Sequence, residues 1–354
     1  MNGIRSSYLR FRKTPAFTGF ILFLISIVLN TVIQGFASGN ALAFFNPNAL
    51  STLITSNAPF ILVTMAQSLL LISGTLDMSI GIQIALVNVV CIMIPQELGA
   101  PVEVGWLCAI LAAVAASLLS GFGCAVLRLP PLLVGYAMTF IIKGVNVLVM
   151  DIPQGKVPKA YWKPYQSPLF GFLPVALLII LLVFCAWLYL KRTKFGRYIY
   201  AVGGNPRNAF AAGINPVKVQ IQAFVLKGVI TGIAGICLTL MTASGNPLQA
   251  EDYGLRSLSA CILGGLGFGG WGSMSCAVFG AGFFVVIQNT VYYLFTLLPK
   301  IIPGFAVTSY WQNMVSDVIL LLGLFMTIVT AKAQRETLKQ GLVKQFRRGE
   351  KYAK

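Results

Sequence analysis

Phe172-Leu-Pro-Val-Ala-Leu-Leu-Ile-Ile-Leu-Leu-Val-Phe-Cys-Ala-Trp-Leu-Tyr-Leu190 runs without a charge until Lys191-Arg-Thr-Lys194 ends it. A helix at the surface of a soluble protein shows an apolar stripe and a polar face. This run is apolar on every face, and it has the roughly 20 residues that a helix needs to cross the ~30 Å hydrocarbon core of a bilayer. Comparable runs lie at Phe17–Phe36, Trp106–Leu127, Leu132–Met150, Val219–Met241, Ser275–Leu298 and Gln312–Ala331. Three others are less regular. Asn57–Ser73 is short, Met78–Pro95 follows it after a break at Gly74–Asp77, and Tyr253–Gly264 runs into the glycine cluster Gly264–Gly272. Counting all of them gives ten crossings, so the expected fold is an all-α polytopic membrane protein with both termini on one side.

Composition points the same way. Of 354 residues 57% are hydrophobic and only 10% charged, with a mean hydropathy of +0.82. A soluble domain carries about 25% charged residues. The net charge of +17 would suggest nucleic acid in a soluble chain. Here the cations sit between apolar runs and act as topology signals, so no nucleic-acid partner is expected. Four lie before Thr14, Arg128 occupies a tight turn, six lie in Lys191–Lys218 and eight follow from Lys332. Ten crossings put these four stretches on one side, and the Lys/Arg bias makes that side cytoplasmic. Lys156, Lys159 and Lys163 then fall outside, against the trend. The basic start leads into Phe17–Ile33 with no small-residue cleavage site, so this run is expected to be a retained first span. The expected organisation is a basic tail over 1–15, a transmembrane domain over 16–331 with a cytoplasmic loop at about 191–218, and a basic tail over 332–354.

Several chemistries are excluded. The chain has no histidine, which removes Ser-His-Asp and Cys-His catalysis and histidine metal sites. Its seven cysteines all lie in apolar segments and form no C-x-x-C pair, so no metal or redox site is expected and they read as small apolar filler. Gly265-Leu-Gly-Phe-Gly-Gly270 matches G-x-G-x-x-G, but the acid that a dinucleotide site needs about 20 residues on is missing. That region reads Val285-Val-Ile-Gln-Asn-Thr290. No phosphate-binding loop of the G-x-x-x-x-G-K-[ST] type exists, so no cofactor is expected.

Two places break the helical pattern: Ser73-Gly-Thr-Leu-Asp-Met-Ser-Ile-Gly81 and Gly264-Gly-Leu-Gly-Phe-Gly-Gly-Trp-Gly-Ser273. Irregular backbone in a membrane must be buried in protein or line a watery cavity. Breaks at corresponding points of two halves indicate repeats around a permeation path; two ordinary surface turns give the same pattern. Gly228-x-x-x-Gly232, and Ala112, Ala116, Ser120 and Cys124, suit close helix packing in lipid. In the basic loop, Asn205 is a good N-cap, Pro206 fits the first helical position and Gly213 is a natural stop. The two-turn helix between them is too short to stand alone. It either docks on a partner, with Arg207 and Phe210 at its surface, or is pinned to the chain's own helix ends.

These motifs carry a resemblance. Gly74-Thr-Leu-Asp-Met-Ser-Ile-Gly81 is similar to the G-G-[IL]-D-[LI]-S-[VI]-G signature of permease subunits in ribose/galactose-type ABC importers. Ala201-Val-Gly-Gly-Asn-Pro…Ala212-Gly-Ile-Asn215 resembles that family's coupling segment, and Leu263–Ser273 its L-G-G-x-x-[LF]-x-G-G-x-G-S motif. Tyr310-Trp-Gln312 also fits, and the motifs stand in order over about residues 60–330. The resemblance implies ten helices per subunit, an inner-membrane location in bacteria, two permease subunits (identical or paralogous), cytoplasmic ATP-binding subunits and an extracytoplasmic solute-binding protein. It implies import of a small polar, carbohydrate-like solute, with no catalysis by the permease. It gives the coupling role to Asn205, Pro206, Arg207, Phe210 and Gly213. Lys227 and Asp317 depart from the family pattern, which has small residues there. They either pair with each other across helices or face water. Asp77, Ser79, Gln67, Asn88, Gln288 and Asn289 are candidates for the path lining, and ordinary interhelical hydrogen bonds account for them equally. The alternative is an ion-coupled secondary transporter using Asp77, Lys227 and Asp317.

Overall fold

The computed structural model describes residues 14–169 and 171–301, together with 311, 313–315, 317, 318 and 321. In chain order the helices are α1 (Ala16–Ser38), α2 (Pro47–Ile72), α3 (Ile80–Leu98), α4 (Val102–Gly121), α5 (Pro131–Val149) and α6 (Lys159–Gln166). They continue with α7 (Val175–Arg192), α8 (Lys194–Gly204), α9 (Pro206–Ala211), α10 (Pro216–Thr242), α11 (Tyr253–Leu263) and α12 (Met274–Ile301). A π-helical turn, Phe122–Val126, prolongs α4. Among the described residues there is no β-strand, and eight helices are long and apolar enough to cross a membrane. The protein is an all-α polytopic membrane protein.

Among the described residues the count is eight rather than ten. Tyr253–Gly264, expected as a crossing, is an 11-residue helix, only about 16 Å long at 1.5 Å per residue. Both basic tails, apart from Thr14 and Pro15, lie outside the described residues, as does most of the span expected at Gln312–Ala331. In the other direction, α2 begins ten residues earlier than its hydropathy suggests, at Pro47. Asn48, Ser51, Thr52, Thr55 and Ser56 dilute its first turns, and the Asn46 side chain caps it by accepting from Asn48 N at 3.0 Å.

Successive crossings alternate, so Pro15, Ser73, Arg128, the 193–215 loop and Gly264–Gly272 come to one end, called the basic end below. The turns around Asn40, Gly99, Gln154 and Gly245 come to the other, where Gln154 and Gly245 pair backbone to backbone. α10 is, with α12, the most enclosed crossing: 67% of its most apolar stretch is buried, against 22% in α7. Small residues make that possible. A Cβ on Gly228 would stand 2.8 Å from Val114 Cα, and one on Gly232 would stand 3.0 Å from Ile110 Cα. The facing seam on α4 is Ala109, Ala113, Ala116, Ser117 and Ser120, so the expected Ala112 is only half-buried. Outward-facing Phe140, Leu148, Leu182 and Tyr189 leave an apolar perimeter suited to lipid tails.

Candidate functional site

Two irregular segments, Ser73–Ser79 and Ala243–Asp252, meet inside the bundle. The first connects α2 to α3 and the second leads from α10 down to the half-length α11. Their contact is backbone to backbone: a Cβ on Gly81 would overlap the Ala250 carbonyl oxygen, and one on Gly254 the Met78 carbonyl oxygen. Ala243 and Ala250 both have positive φ, at 53° and 63°, a conformation that costs an L-residue energy and recurs at functional sites. Side-chain amides secure the second segment. Asn88 of α3 accepts from Asn246 N at 2.7 Å and donates to Ser244 O and Thr239 Oγ1. Asn146 of α5 donates to Ile82 O and Pro247 O. Backbone groups that lipid would leave orphaned are thereby satisfied. The counterpart of the first break is thus Ala243–Asp252, whereas the glycine cluster lies at the basic end.

Behind this junction is a sealed charge pair. Lys227 of α10 and Asp77 both have no exposed side-chain surface, and Lys227 Nζ lies 2.9 Å from Asp77 Oδ2. Lys227 also donates to Gln83 Oε1 and to Ser117 Oγ of α4. Asp77 Oδ1 accepts from both the backbone and the hydroxyl of Ser79, and Gln83 returns a bond to Asp77. The expected pairing of Lys227 with Asp317 is therefore incorrect: Lys227 is held by Asp77, and Asp317 lies against Arg256 at 3.3 Å. Asp77 and Ser79, offered as path lining, are fully engaged inside protein.

In front of the junction the acids are exposed and the cations only partly so, with 18% of the Arg256 side chain accessible. Lys143 of α5 pairs with Glu251 at 2.8 Å, with 36% and 40% of their side chains exposed. Arg256, in the first turn of α11, bridges Asp252 at 2.5 Å and Asp317, which are 49% and 51% exposed. The acids at the start of α11 lie where a helix N-terminus favours negative charge. Depth follows from helix length. α11 ends at Gly264–Gly265, beside Pro15, so its N-terminus is about 16 Å into the molecule from the basic end. Lys143 lies roughly 18 Å along α5 from Pro131 by the same measure. Against a core about 30 Å thick, this five-charge strip is near mid-depth. Glu251, Asp252 and Arg256 were not singled out by the sequence, because Tyr253–Gly264 was counted as a crossing, and Lys143 looked ordinary beside the family pattern.

The remaining candidates scatter. Gln67 is fully buried, and neither of its amide atoms has a protein partner. Gln288 is half-buried in α12. Asn289 donates to Asn30 and Gln34 of α1. It also lines an open cavity of about 500 Å³ toward the far end, with Asn48, Asn57, Tyr292 and Tyr293. At the basic end, α9 is present as the sequence implies. Asn205 Oδ1 accepts from Arg207 N and Asn208 N. Gly213 has φ 81°, and Ile214 N returns to Ala209 O, which closes the C-terminus. Phe210 is 69% exposed.

The amino-acid sequence has relatives among known proteins. The chain is 28% identical over 73% of its length to the fructose import permease protein FrcC of Rhizobium meliloti, covering 74% of that protein. It is 27% identical over 84% of its length to the ribose import permease protein RbsC of Escherichia coli, covering 90%. With the autoinducer 2 import system permease protein LsrC of Yersinia enterocolitica, identity is 25% over 78% of this chain and 74% of that one. No solved structure matches. Residues 49–324 match the family described as branched-chain amino acid transport system / permease component, and the chain belongs to that permease family.

Proposed function

We propose that this chain is the membrane-spanning subunit of an ATP-driven importer that carries a small neutral carbohydrate across the bacterial cytoplasmic membrane, with its basic end in the cytoplasm. The observation that carries the reading is the partly exposed ion-pair strip. Ionised groups at membrane depth face bundle interiors or watery cavities, so the face bearing Lys143, Glu251, Asp252, Arg256 and Asp317 is a wall of the path, closed by a second permease subunit. Paired carboxylates and cations offer many acceptors and donors to hydroxyl groups. Three acids against two bases leave one surplus negative charge, which disfavours phosphate esters and other anions. Relatives named for fructose and ribose import support the same solute class.

With no nucleotide-binding loop of its own, the chain depends on separate ATP-binding subunits, which engage it at α9, and an extracytoplasmic binding protein delivers the solute. An ion-coupled mechanism would use Asp77, Lys227 and Asp317, but the first two have no exposed surface and neutralise each other, and Asp317 is paired with Arg256. The test is reconstitution in proteoliposomes with the ATP-binding subunits and the binding protein. Uptake of labelled ribose or fructose should require ATP and be insensitive to excess leucine or ribose 5-phosphate. Uptake without the ATP-binding subunits would overturn the ATP-driven reading, and competition by leucine would overturn the carbohydrate reading.

A further inference from the structure

The glycine cluster Gly264–Ser273 has no part in the function proposed above, yet it is built closely into the basic end. Gly269 N donates to Leu71 O at 3.0 Å and Gly270 N to Ile72 O at 2.9 Å. Ile72 O is one of the carbonyls that the last turn of α2 would otherwise leave open, and Leu71 O accepts from Gly74 N as well as from the hairpin. The hydroxyl of Tyr200 in α8 donates to Gly272 O at 3.2 Å. Burial pushes that hydroxyl up to about 12, so it remains a proton donor throughout the physiological range. No room exists for side chains at the seam. A Cβ on Gly203 would overlap the Ile72 carbonyl oxygen, and one on Gly269 would stand 2.7 Å from Gly203 O. One on Gly270 would stand 2.9 Å from Tyr200 O and 3.0 Å from Gly204 N. Only Asn205 separates Gly204 from the first residue of α9. The hairpin, the end of α8 and α9 therefore move as one body.

That body presents three large aromatic groups: Phe210 is 69% exposed, Phe268 54% and Trp271 71%. Exposed Lys194, Arg197 and Arg207 accompany them. Trp and Arg are among the residues over-represented in binding hot spots. We propose that the glycine hairpin is a second docking element for the ATP-binding subunit, with Trp271 and Phe268 as anchors beside Phe210. The inference rests on the ATP-driven reading, and its ground is the backbone continuity between hairpin and α9. A partner seated on α9 meets the hairpin in the same rigid surface. Movement of that surface is passed directly to the end of α2, one residue before the Ser73–Ser79 break.

The experiment uses the complete transporter in lipid nanodiscs. Trp271→Ala should weaken association of the ATP-binding subunit at least tenfold and Trp271→Phe much less, with membrane insertion unchanged in both. Phe210→Ala should weaken it comparably. In a variant whose only tryptophan is Trp271, adding the ATP-binding subunit should shift the emission to the blue, and brominated lipids should leave it unquenched. Quenching by brominated lipid would make Trp271 a bilayer anchor and overturn the proposal. If Phe210→Ala weakens association while Trp271→Ala and Phe268→Ala do not, the proposal fails and the ATP-driven reading stands. If none of the three matters, docking at α9 fails with it.

Discussion

Removing the charge of Lys227 alone, as in Lys227→Met, leaves the Asp77 carboxylate buried with only hydroxyl and amide neighbours. Stranding one member of a buried pair costs about 3–5 kcal/mol, whereas replacing both is often near neutral. Lys227→Met and Asp77→Asn should therefore each lower the thermal stability of the purified permease sharply, and the double variant should recover most of it. Asp317→Asn, on a separate cluster, should add to the loss from Lys227→Met within about 0.5 kcal/mol. Strong coupling between Lys227 and Asp317 would contradict the geometry. The sequence announced Lys227 and Asp317 as misfits, since they stand where the family pattern has small residues. It could not announce their partners: Asp77 lies 150 positions away, and Arg256 sat in a segment whose hydropathy read as membrane. Composition reveals that a buried charge needs a partner, but which one is decided by how helices are arranged around it.

At the level of elements, the junction between the two irregular segments depends on two glycines that admit no Cβ. Gly81→Ala would force its methyl into the Ala250 carbonyl, and Gly254→Ala into the Met78 carbonyl. Overpacking typically costs about 1–3 kcal/mol. Here the obstacle is backbone, which yields less than a side chain, so each variant should lose uptake and unfold at lower temperature. Gly144→Ala is the control: nothing lies within 4 Å of its added Cβ, and stability should hold or rise slightly through better helix propensity. Equal behaviour of Gly81→Ala and Gly144→Ala would mean the junction is loose. The long apolar helices were legible because a run of about 20 residues with no polar face suits a membrane crossing and little else. The Asn205–Gly213 helix was legible because caps are local chemistry. The Ala243–Asp252 segment was not, since its shape is imposed by Asn88, Asn146 and Gly81 from other helices. Its own residues, Ser-Gly-Asn-Pro-Leu-Gln, read as an ordinary turn.

For the molecule as a whole, the decisive question is whether the charged strip meets water, and from which side. Three positions define the axis in a variant whose seven native cysteines are replaced. Lys194→Cys at the basic end should react with a membrane-impermeant thiol reagent only from the cytoplasmic face, and Gln154→Cys only from the opposite one. Reaction of both from the same face would refute the alternation of crossings that orders the fold. Glu251→Cys tests the path. A thiol facing lipid or a dry interface ionises too little to react, whereas one in an aqueous channel is attacked readily. In the assembled transporter Glu251→Cys should therefore react with a small cationic methanethiosulfonate. Access should come from one face in the resting state and from the other when ATP is bound, because alternating access exposes a mid-depth wall to each side in turn. Saturating carbohydrate should slow the reaction by occupying the same wall. If Glu251→Cys stays unreactive in both states while Gln154→Cys and Lys194→Cys behave as expected, the strip is a dry contact between subunits. The path would then have to follow the Asn289 cavity, where amides and tyrosines, rather than paired charges, would meet the solute.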